Sequence, residues 1–136
     1  MKKGRNNKVA FCVTLFIVSL LVIGCENYGE QKTFNGTQVY YTSAITVNEV
    51  DRLGEYLIYS GFADGEEKTV QLNKTGNTYE FRMVVKKGIE TDMQFRELGK
   101  MFAAEISAYV FNGARVDTHF CDDRLKTLVV LPMTMY

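Results

Sequence analysis

The segment TYEFRMVV, residues 78–85, carries the clearest structural pattern in the chain. Apolar or aromatic residues fall at every second position, namely Tyr79, Phe81, Met83 and Val85. Because successive side chains of a β-strand point to opposite faces of the sheet, this alternation predicts a strand with one face in a core. The neighbouring segments must supply the strands and helices that complete this core.

A second strand is predicted just upstream of this segment. Val70 and Leu72 alternate with polar residues, and residues 73–77 (NKTGN) have the composition of a hairpin connection. Gly76 stands where such a turn needs a positive φ angle. The two strands are therefore predicted to pair in antiparallel fashion.

The chain before this hairpin has the pattern of a helix over residues 47–60. Thr46 and Glu49 have the spacing of a capping box, in which each side chain satisfies a backbone N–H of the first turn. Gly61 stands where the helix needs a left-handed stop. Gly54 costs the helix about 1 kcal/mol relative to Ala, so we expect it to mark a close approach to the sheet. Apolar residues recur at helical spacing, at Val50, Leu53 and Leu57.

A longer helix is predicted over residues 92–111. A second capping box, at residues 91–94 (TDMQ), opens it, and Asn112-Gly113 ends it. The apolar stripe of this helix is the longest in the chain and is expected to cover the sheet rather than to bind a cofactor. The stripe consists of Leu98, Met101, Phe102, Ile106, Tyr109 and Val110.

Three further strands are predicted, at residues 37–42, 115–121 and 124–131, which gives the order β-α-β-β-α-β-β. Right-handed crossovers would place both helices on one face of a largely antiparallel sheet. The predicted fold is an α+β two-layer sandwich, ferredoxin-like with an extra edge strand, over residues 37–132. Its second sheet face is expected to be open to solvent.

Polar side chains on this open face are the candidate binding residues. Acidic and basic side chains are mixed on it, and the whole chain has sixteen of each sign. Nucleic acid is excluded as a partner because it requires a basic cluster. A protein or peptide of the cell envelope is expected instead, including one that adds a strand at a sheet edge. The predicted partner face consists of Arg82, Asp117, His119 and Lys126.

The pattern Asp117-x-His119-x-Cys121 contains side chains that could bind a metal or act in catalysis. They would lie together because alternate residues of a strand share a face. Three metal ligands from one strand would diverge instead of surrounding an ion. A Cys–His nucleophile pair lacks an evident third group to orient the histidine. We therefore assign no catalytic residue, metal or cofactor and expect a non-enzymatic binding or structural module. The alternative is a thiol- or metal-dependent hydrolase that uses His119 and Cys121.

The N-terminal residues have the pattern of a secretory signal. Four basic residues precede the uncharged run Val9–Ile23, and all sixteen acidic residues follow Cys25. The run is shorter than the roughly 18–20 residues that span a bilayer, so a permanent transmembrane helix is the weaker interpretation. Without the signal the chain is mildly acidic, which gives it no electrostatic attraction to anionic lipid.

The run ends in Leu21-Val22-Ile23-Gly24-Cys25, which resembles the lipobox of bacterial lipoproteins. The resemblance implies cleavage after Gly24 and acylation of Cys25, for example with palmitate, so that lipid holds the exported protein to a membrane. Residues 1–24 are then the signal peptide and residues 25–36 a flexible tether. An ordinary cleaved signal with a chance cysteine remains the alternative. The resemblance does not distinguish the inner membrane, the outer membrane and the cell surface.

Most of residues 39–131 resembles a small uncharacterised domain that recurs in exported and membrane-anchored bacterial proteins. The resemblance supports the fold, and it implies no activity, because the matching residues have the chemistry of turns and core. The matching segments are Gly61–Gly65, Val70–Leu72, Val110–Gly113 and Cys121-Asp122.

Overall fold

A computed structural model describes residues 27–135, which form two α-helices and one six-stranded sheet. The predicted α+β class is therefore confirmed. The predicted signal peptide and Cys25 lie outside the described residues. The helices are α1 (Val47–Tyr59) and α2 (Met93–Val110), with a 3₁₀ turn at Ile89–Thr91, and the strands are β1 (Glu30–Phe34), β2 (Thr37–Tyr41), β3 (Lys68–Thr75), β4 (Thr78–Val84), β5 (Val116–Cys121) and β6 (Thr127–Pro132).

The strands lie in the sheet in the order of the chain, from β1 to β6. The pairs joined by a helix, β2 with β3 and β4 with β5, are parallel, and the other neighbours are antiparallel. A ferredoxin-like sheet places another strand between the two strands that a helix connects. Here each helix connects two strands that lie side by side in the sheet, so the strand order is not the ferredoxin-like one. Strands that follow each other in the sequence are usually neighbours in space.

The first strand lies in the stretch predicted as a tether. Glu30–Phe34 pairs with β2 in antiparallel register, and the Lys32 ammonium lies 2.6 Å from the Asp51 carboxylate on α1. The tether prediction is therefore wrong for these five residues, and the domain begins earlier than residue 37. This strand is difficult to recognise in the sequence because it lies at the edge of the sheet. Edge strands carry charged residues that discourage pairing with a further strand.

The predicted capping box of α1 is confirmed. The Glu49 amide donates to Thr46 Oγ1 at 3.2 Å, and the Thr46 amide donates to Glu49 Oε2 at 2.8 Å. The Tyr79 hydroxyl donates to the other oxygen of Glu49 and so joins this helix end to β4. Burial and this hydrogen bond raise the pKa of Tyr79 to about 12. Gly54 marks the expected close approach, since the Phe34 ring occupies the space that a Cβ would need.

Helix α2 begins differently from the prediction. Asp92, rather than Thr91, is the N-cap, because its Oδ1 accepts from the Gln94 and Phe95 amides at 2.9 and 3.3 Å. The Thr91 hydroxyl instead donates to the Gly88 carbonyl at 2.8 Å. The predicted second capping box is therefore wrong, although an acceptor does cap the helix within one residue of the expected place.

The buried face of α2 is turned by roughly a quarter of the helix circumference from the predicted stripe, at 3.6 residues per turn. Leu98, Met101 and Tyr109 are 57%, 44% and 74% exposed. A Cβ on Gly99 would collide with Leu131, so the absence of a side chain lets the helix approach the sheet closely. Small residues dominate the buried face, which consists of Gly99, Ala103, Ile106, Ser107 and Val110.

The core lies between these helices and the sheet. Phe81, in the middle of β4, is fully buried, and the rings of Phe62 and Phe102 meet it edge to face at centroid distances of 5.8 and 5.4 Å. Phe102 of α2 therefore packs directly on the middle of β4. Fully buried residues from three further strands complete the sheet side of the core: Val39, Val70, Leu72 and Val116.

Candidate functional site

A row of polar side chains crosses the sheet at β3, β4 and β5. The strand register places Gln71 opposite Arg82 and Arg82 opposite His119. The Arg82 guanidinium donates to Gln71 Oε1 at 2.9 Å, to Thr127 Oγ1 at 2.9 Å and to the Leu125 carbonyl at 2.6 Å. Three of its donor directions are therefore satisfied within the protein, which leaves little of this charge for a partner.

His119 is 6% exposed and lies at the centre of the same row. Its Nδ1 atom is 3.2 Å from Arg82 and 3.0 Å from Thr127 Oγ1, and its Nε2 atom is 3.5 Å from Glu80. Burial lowers the pKa of His119 and the Arg82 charge lowers it further, while Glu80 opposes them. Nδ1 therefore accepts a hydrogen bond in a neutral imidazole whose Nε2 proton points toward Glu80.

The four residues predicted as a partner face do not form one accessible surface. Lys126 is exposed, Arg82 and Asp117 are partly buried, and His119 is buried. Asp117 Oδ1 has no hydrogen-bond partner and lies 3.5 Å from the Arg115 side chain, a separation that allows attraction without a hydrogen bond. The expectation that Arg82, His119 and Lys126 are exposed together is wrong.

Two pieces of chain cover parts of the sheet face that the sequence predicted to be open. The loop between β5 and β6 folds back so that Leu125, at a φ of 59°, is only 5% exposed. On the other side, Gln71 Nε2 donates to the Tyr28 carbonyl at 2.9 Å, and the Tyr28 ring meets Tyr40 at 5.5 Å. The polar row is therefore largely an internal network and not a free surface.

Cys121 is fully buried in β5. Burial raises the pKa of its thiol, which disfavours the nucleophilic thiolate. Its sulfur lies 3.7 Å from the backbone carbonyl of His119, a contact that does not involve the imidazole. Within residues 27–135, no group of three His, Cys, Asp or Glu side chains is placed to hold a metal ion.

An apolar groove lies beside α2, where the helix leaves its larger side chains uncovered. Phe95, Leu98 and Met101 are 45%, 57% and 44% exposed, and the groove has a volume of about 290 Å³. Glu105 is its one charged lining residue, and the Tyr56 hydroxyl donates to that carboxylate at 2.9 Å. The remaining lining residues are Phe62, Met83, Gly99, Phe102 and Phe120.

Sequence reasoning missed this groove because it assigned the large residues of the stripe to the core. The signal that could have revealed it is the spacing of Gly99, Ala103 and Ser107, four residues apart, which marks a helix face able to approach a sheet closely. A groove of this lining can bury an aliphatic or aromatic group, and its methionine side chains can adapt to the shape of that group.

The fold and its surfaces define a small α+β domain with a polar network on its sheet and an apolar groove beside its longer helix. The family model described as AF_1994_N, family N-terminal domain, matches residues 31–132. Because the match covers most of the chain, the chain belongs to this family. No curated protein and no solved structure matches it. None of the helices within residues 27–135 is long and apolar enough to span a bilayer.

Proposed function

We propose that this chain is a lipid-anchored protein of the bacterial cell envelope and that its domain is a non-enzymatic binding module. The observation that carries the anchor is Leu21–Cys25, which follows a basic start and an uncharged run. A Cys25 that carries two or more acyl chains would hold the exported domain stably at a membrane.

The contacts around His119 and Cys121 favour a binding module over the alternative thiol or metal-dependent hydrolase. The imidazole already contacts the side chains of Arg82, Thr127 and Glu80, and the Cys121 thiol is buried. A nucleophile and its base must instead lie within hydrogen-bond reach of each other and of a substrate.

We further infer that both helices cover the same face of the sheet. Tyr56 of α1 stacks on Phe102 and Tyr109 of α2, at centroid distances of 6.1 and 5.6 Å. Leu53 and Ile106, one from each helix, belong to a single core with the buried strand residues. The apolar groove then lies in the helix layer, and the polar network lies on the opposite face.

The groove beside α2 is the proposed binding site of the domain. Exposed apolar side chains that lie together commonly mark an interaction site. The groove lies toward the end of the sheet at which α2 begins, whereas Asn27 lies beside Ser43 at the end where α1 begins. An anchor at Cys25 therefore directs the groove away from the bilayer, so we assign it an apolar segment of another exported protein as occupant.

The anchor is tested by metabolic labelling with a palmitate analogue and by membrane fractionation of the full chain. Cys25→Ser combined with an alternative cleavage site should abolish the label and move the cleaved protein to the soluble fraction. Cys12→Ser, the matched control in the same uncharged run, should keep both the label and the fractionation. If the wild-type chain is in the membrane fraction without a label, the proposed anchor is wrong. If the cleaved Cys25→Ser protein stays in the membrane, the domain has another membrane contact and the lipid is not what holds it there.

The groove is tested by placing a photo-crosslinking residue at Leu98 or, as a matched control, at Leu128. Both are partly exposed leucines, but Leu128 lies on β6 outside the groove. We expect an adduct with an envelope protein from position 98 alone, lost when Met101→Glu is added. Adducts of equal yield from both positions, or an adduct with the mass of two copies of this chain, would contradict the assigned occupant.

A further inference from the structure

The residues at the start of the described chain are held firmly to the sheet. The Tyr28 carbonyl accepts a hydrogen bond from Gln71, and the Asn27 side chain accepts from the Gly29 amide at 3.0 Å. Gly29, at a φ of 97°, lies so close to the Tyr41 carbonyl that a Cβ would not fit. These contacts fix the place at which the preceding chain must leave the domain.

That place is a shallow groove at one end of the sheet, which we call the entry end. Asn27 and Tyr28 line it together with the loop that leads from β2 into α1. The other lining residues are Gly29, Glu30, Tyr41, Thr42, Ser43, Ile45 and Val47. Val47, the first residue of α1, is 53% exposed there.

Glu26 alone separates Cys25 from Asn27 in the sequence. Each residue spans at most about 3.6 Å, so the Cα atoms of Cys25 and Asn27 are at most about 7 Å apart. The headgroup layer on each side of a bilayer is itself about 5–8 Å thick. A lipid on Cys25 would therefore leave Asn27 within or directly above the headgroups.

We propose that the entry end rests on the headgroup layer of the phospholipid bilayer that holds the Cys25 lipid. This inference rests on the proposed lipid anchor and adds the orientation of the domain. Most side chains at the entry end are aromatic, aliphatic or hydroxyl-bearing, such as Tyr28, Val47 and Ser43, and such groups suit the boundary between water and lipid. Glu30 is the one charged side chain among the residues that line this groove.

The chain has no tryptophan, so a single introduced tryptophan reports on one site. Val47 and Met93 are each the first residue of a helix, are 53% and 65% exposed, and lie at opposite ends of the sheet. Val47→Trp is the probe of the entry end and Met93→Trp is its matched control. Each full-length variant is expressed, purified from membranes and reconstituted in phospholipid vesicles that contain a nitroxide-labelled headgroup.

We expect at least a twofold loss of Val47→Trp fluorescence and no loss for Met93→Trp. Equal quenching at both sites, or quenching at Met93→Trp alone, would overturn the proposed orientation. A mass measurement on the same samples separates the two proposals. A lipid on Cys25 without quenching at Val47→Trp contradicts the orientation alone, whereas a protein without lipid contradicts the anchor and the orientation together.

A second variant tests whether the short connection is the cause. A flexible Gly/Ser insert of twenty residues between Glu26 and Asn27 should return most of the Val47→Trp fluorescence, because the domain could then leave the surface. Unchanged quenching with the insert would overturn the short connection as the reason for the contact. Circular dichroism of both forms checks that the insert leaves the fold intact.

Discussion

The Nδ1 atom of His119 lies 3.2 Å from a guanidinium nitrogen of Arg82. Arg82 is always charged and can only donate, so this ring nitrogen must accept. A second proton on the ring would point at Arg82, so the hydrogen bond between these two side chains would be lost and two positive charges would lie against each other. The charge state of one buried histidine is therefore coupled to the packing of β4, β5 and β6.

This coupling predicts that the protein loses stability in mild acid. Burial and Arg82 lower the pKa of His119 from its ordinary value of 6.5, so the unfolded chain binds the proton more readily than the folded one. Stability should be constant above pH 6.5 and fall as the pH drops through the window between 6.5 and the lowered pKa. Thermal unfolding measured from about pH 8 to pH 5 checks this.

The control for the histidine effect is His119→Gln, which does not titrate. The carboxyl groups of Glu49, Asp64 and Asp122, whose pKa values are lowered in the folded protein, remain in this variant and account for the pH dependence that is left. We expect a flatter stability curve between pH 6.5 and 5.5 than in the wild type. If the two curves have the same slope, His119 is not the group responsible.

The hydrogen bonds of Arg82 predict that it stabilises the fold. Arg82→Met keeps the aliphatic stem but leaves the Leu125 carbonyl and Gln71 without their donor. The free energy of unfolding should fall by about 1.5–3 kcal/mol, the range for hydrogen bonds to a charged group. Arg82→Lys should not restore it, because an ammonium cannot reproduce the guanidinium fork.

Chemical denaturation of these variants is compared with that of Lys126→Met. Lys126 is exposed, so its replacement should change the free energy of unfolding by no more than about 0.5 kcal/mol. Equal effects at the two positions would show that Arg82 acts as a surface charge, as the sequence alone predicted, and not as part of an internal network.

Phe81 and Phe102 touch, but the structure predicts unequal effects when each is changed to Ala. Phe81 is fully buried, so Phe81→Ala should cost about 3–5 kcal/mol. Phe102 is partly exposed beside the groove, so Phe102→Ala should cost roughly 1–2 kcal/mol. Denaturant titration measures both values, and a larger loss at Phe102 would contradict the placement of α2.

Gly54→Ala should destabilise the protein although alanine is the better helix former. The added methyl group would displace the Phe34 ring and with it β1, at a cost of about 1–3 kcal/mol. Phe34→Ala should remove that clash, so the double variant should be less destabilised than the sum of the single changes. Simple additivity of the two effects would mean that the residues do not meet.

The sequence alone predicted an element correctly wherever the interactions that form that element lie within one short segment. The alternation in residues 78–85 predicted β4, and Thr46 with Glu49 predicted the start of α1, because these interactions lie within a few residues of each other. Strand β1 was missed because its stability comes from β2 and from the contact of Phe34 with Gly54, both far from it in the sequence.

The candidate binding surfaces were harder to predict than the helices and strands, because they depend on contacts between residues that are far apart in the sequence. The sequence placed Arg82 and His119 on one sheet face, and the register confirms that they are neighbours. It could not show that the β5–β6 loop turns back over them, since that depends on the positive φ angle of Leu125 and its hydrogen bond to Arg82.

By itself the sequence determined the α+β class, the two helices and the strands that carry clear alternation, because periodicity is a local property of the chain. Tertiary structure alone decided the strand order, the edge position of β1 and the face that α2 buries. The helix stripe offered more apolar surface than the sheet could cover. The small side chains of Gly99, Ala103 and Ser107 allowed the closest approach, so they were buried and Leu98 and Met101 were left at the surface.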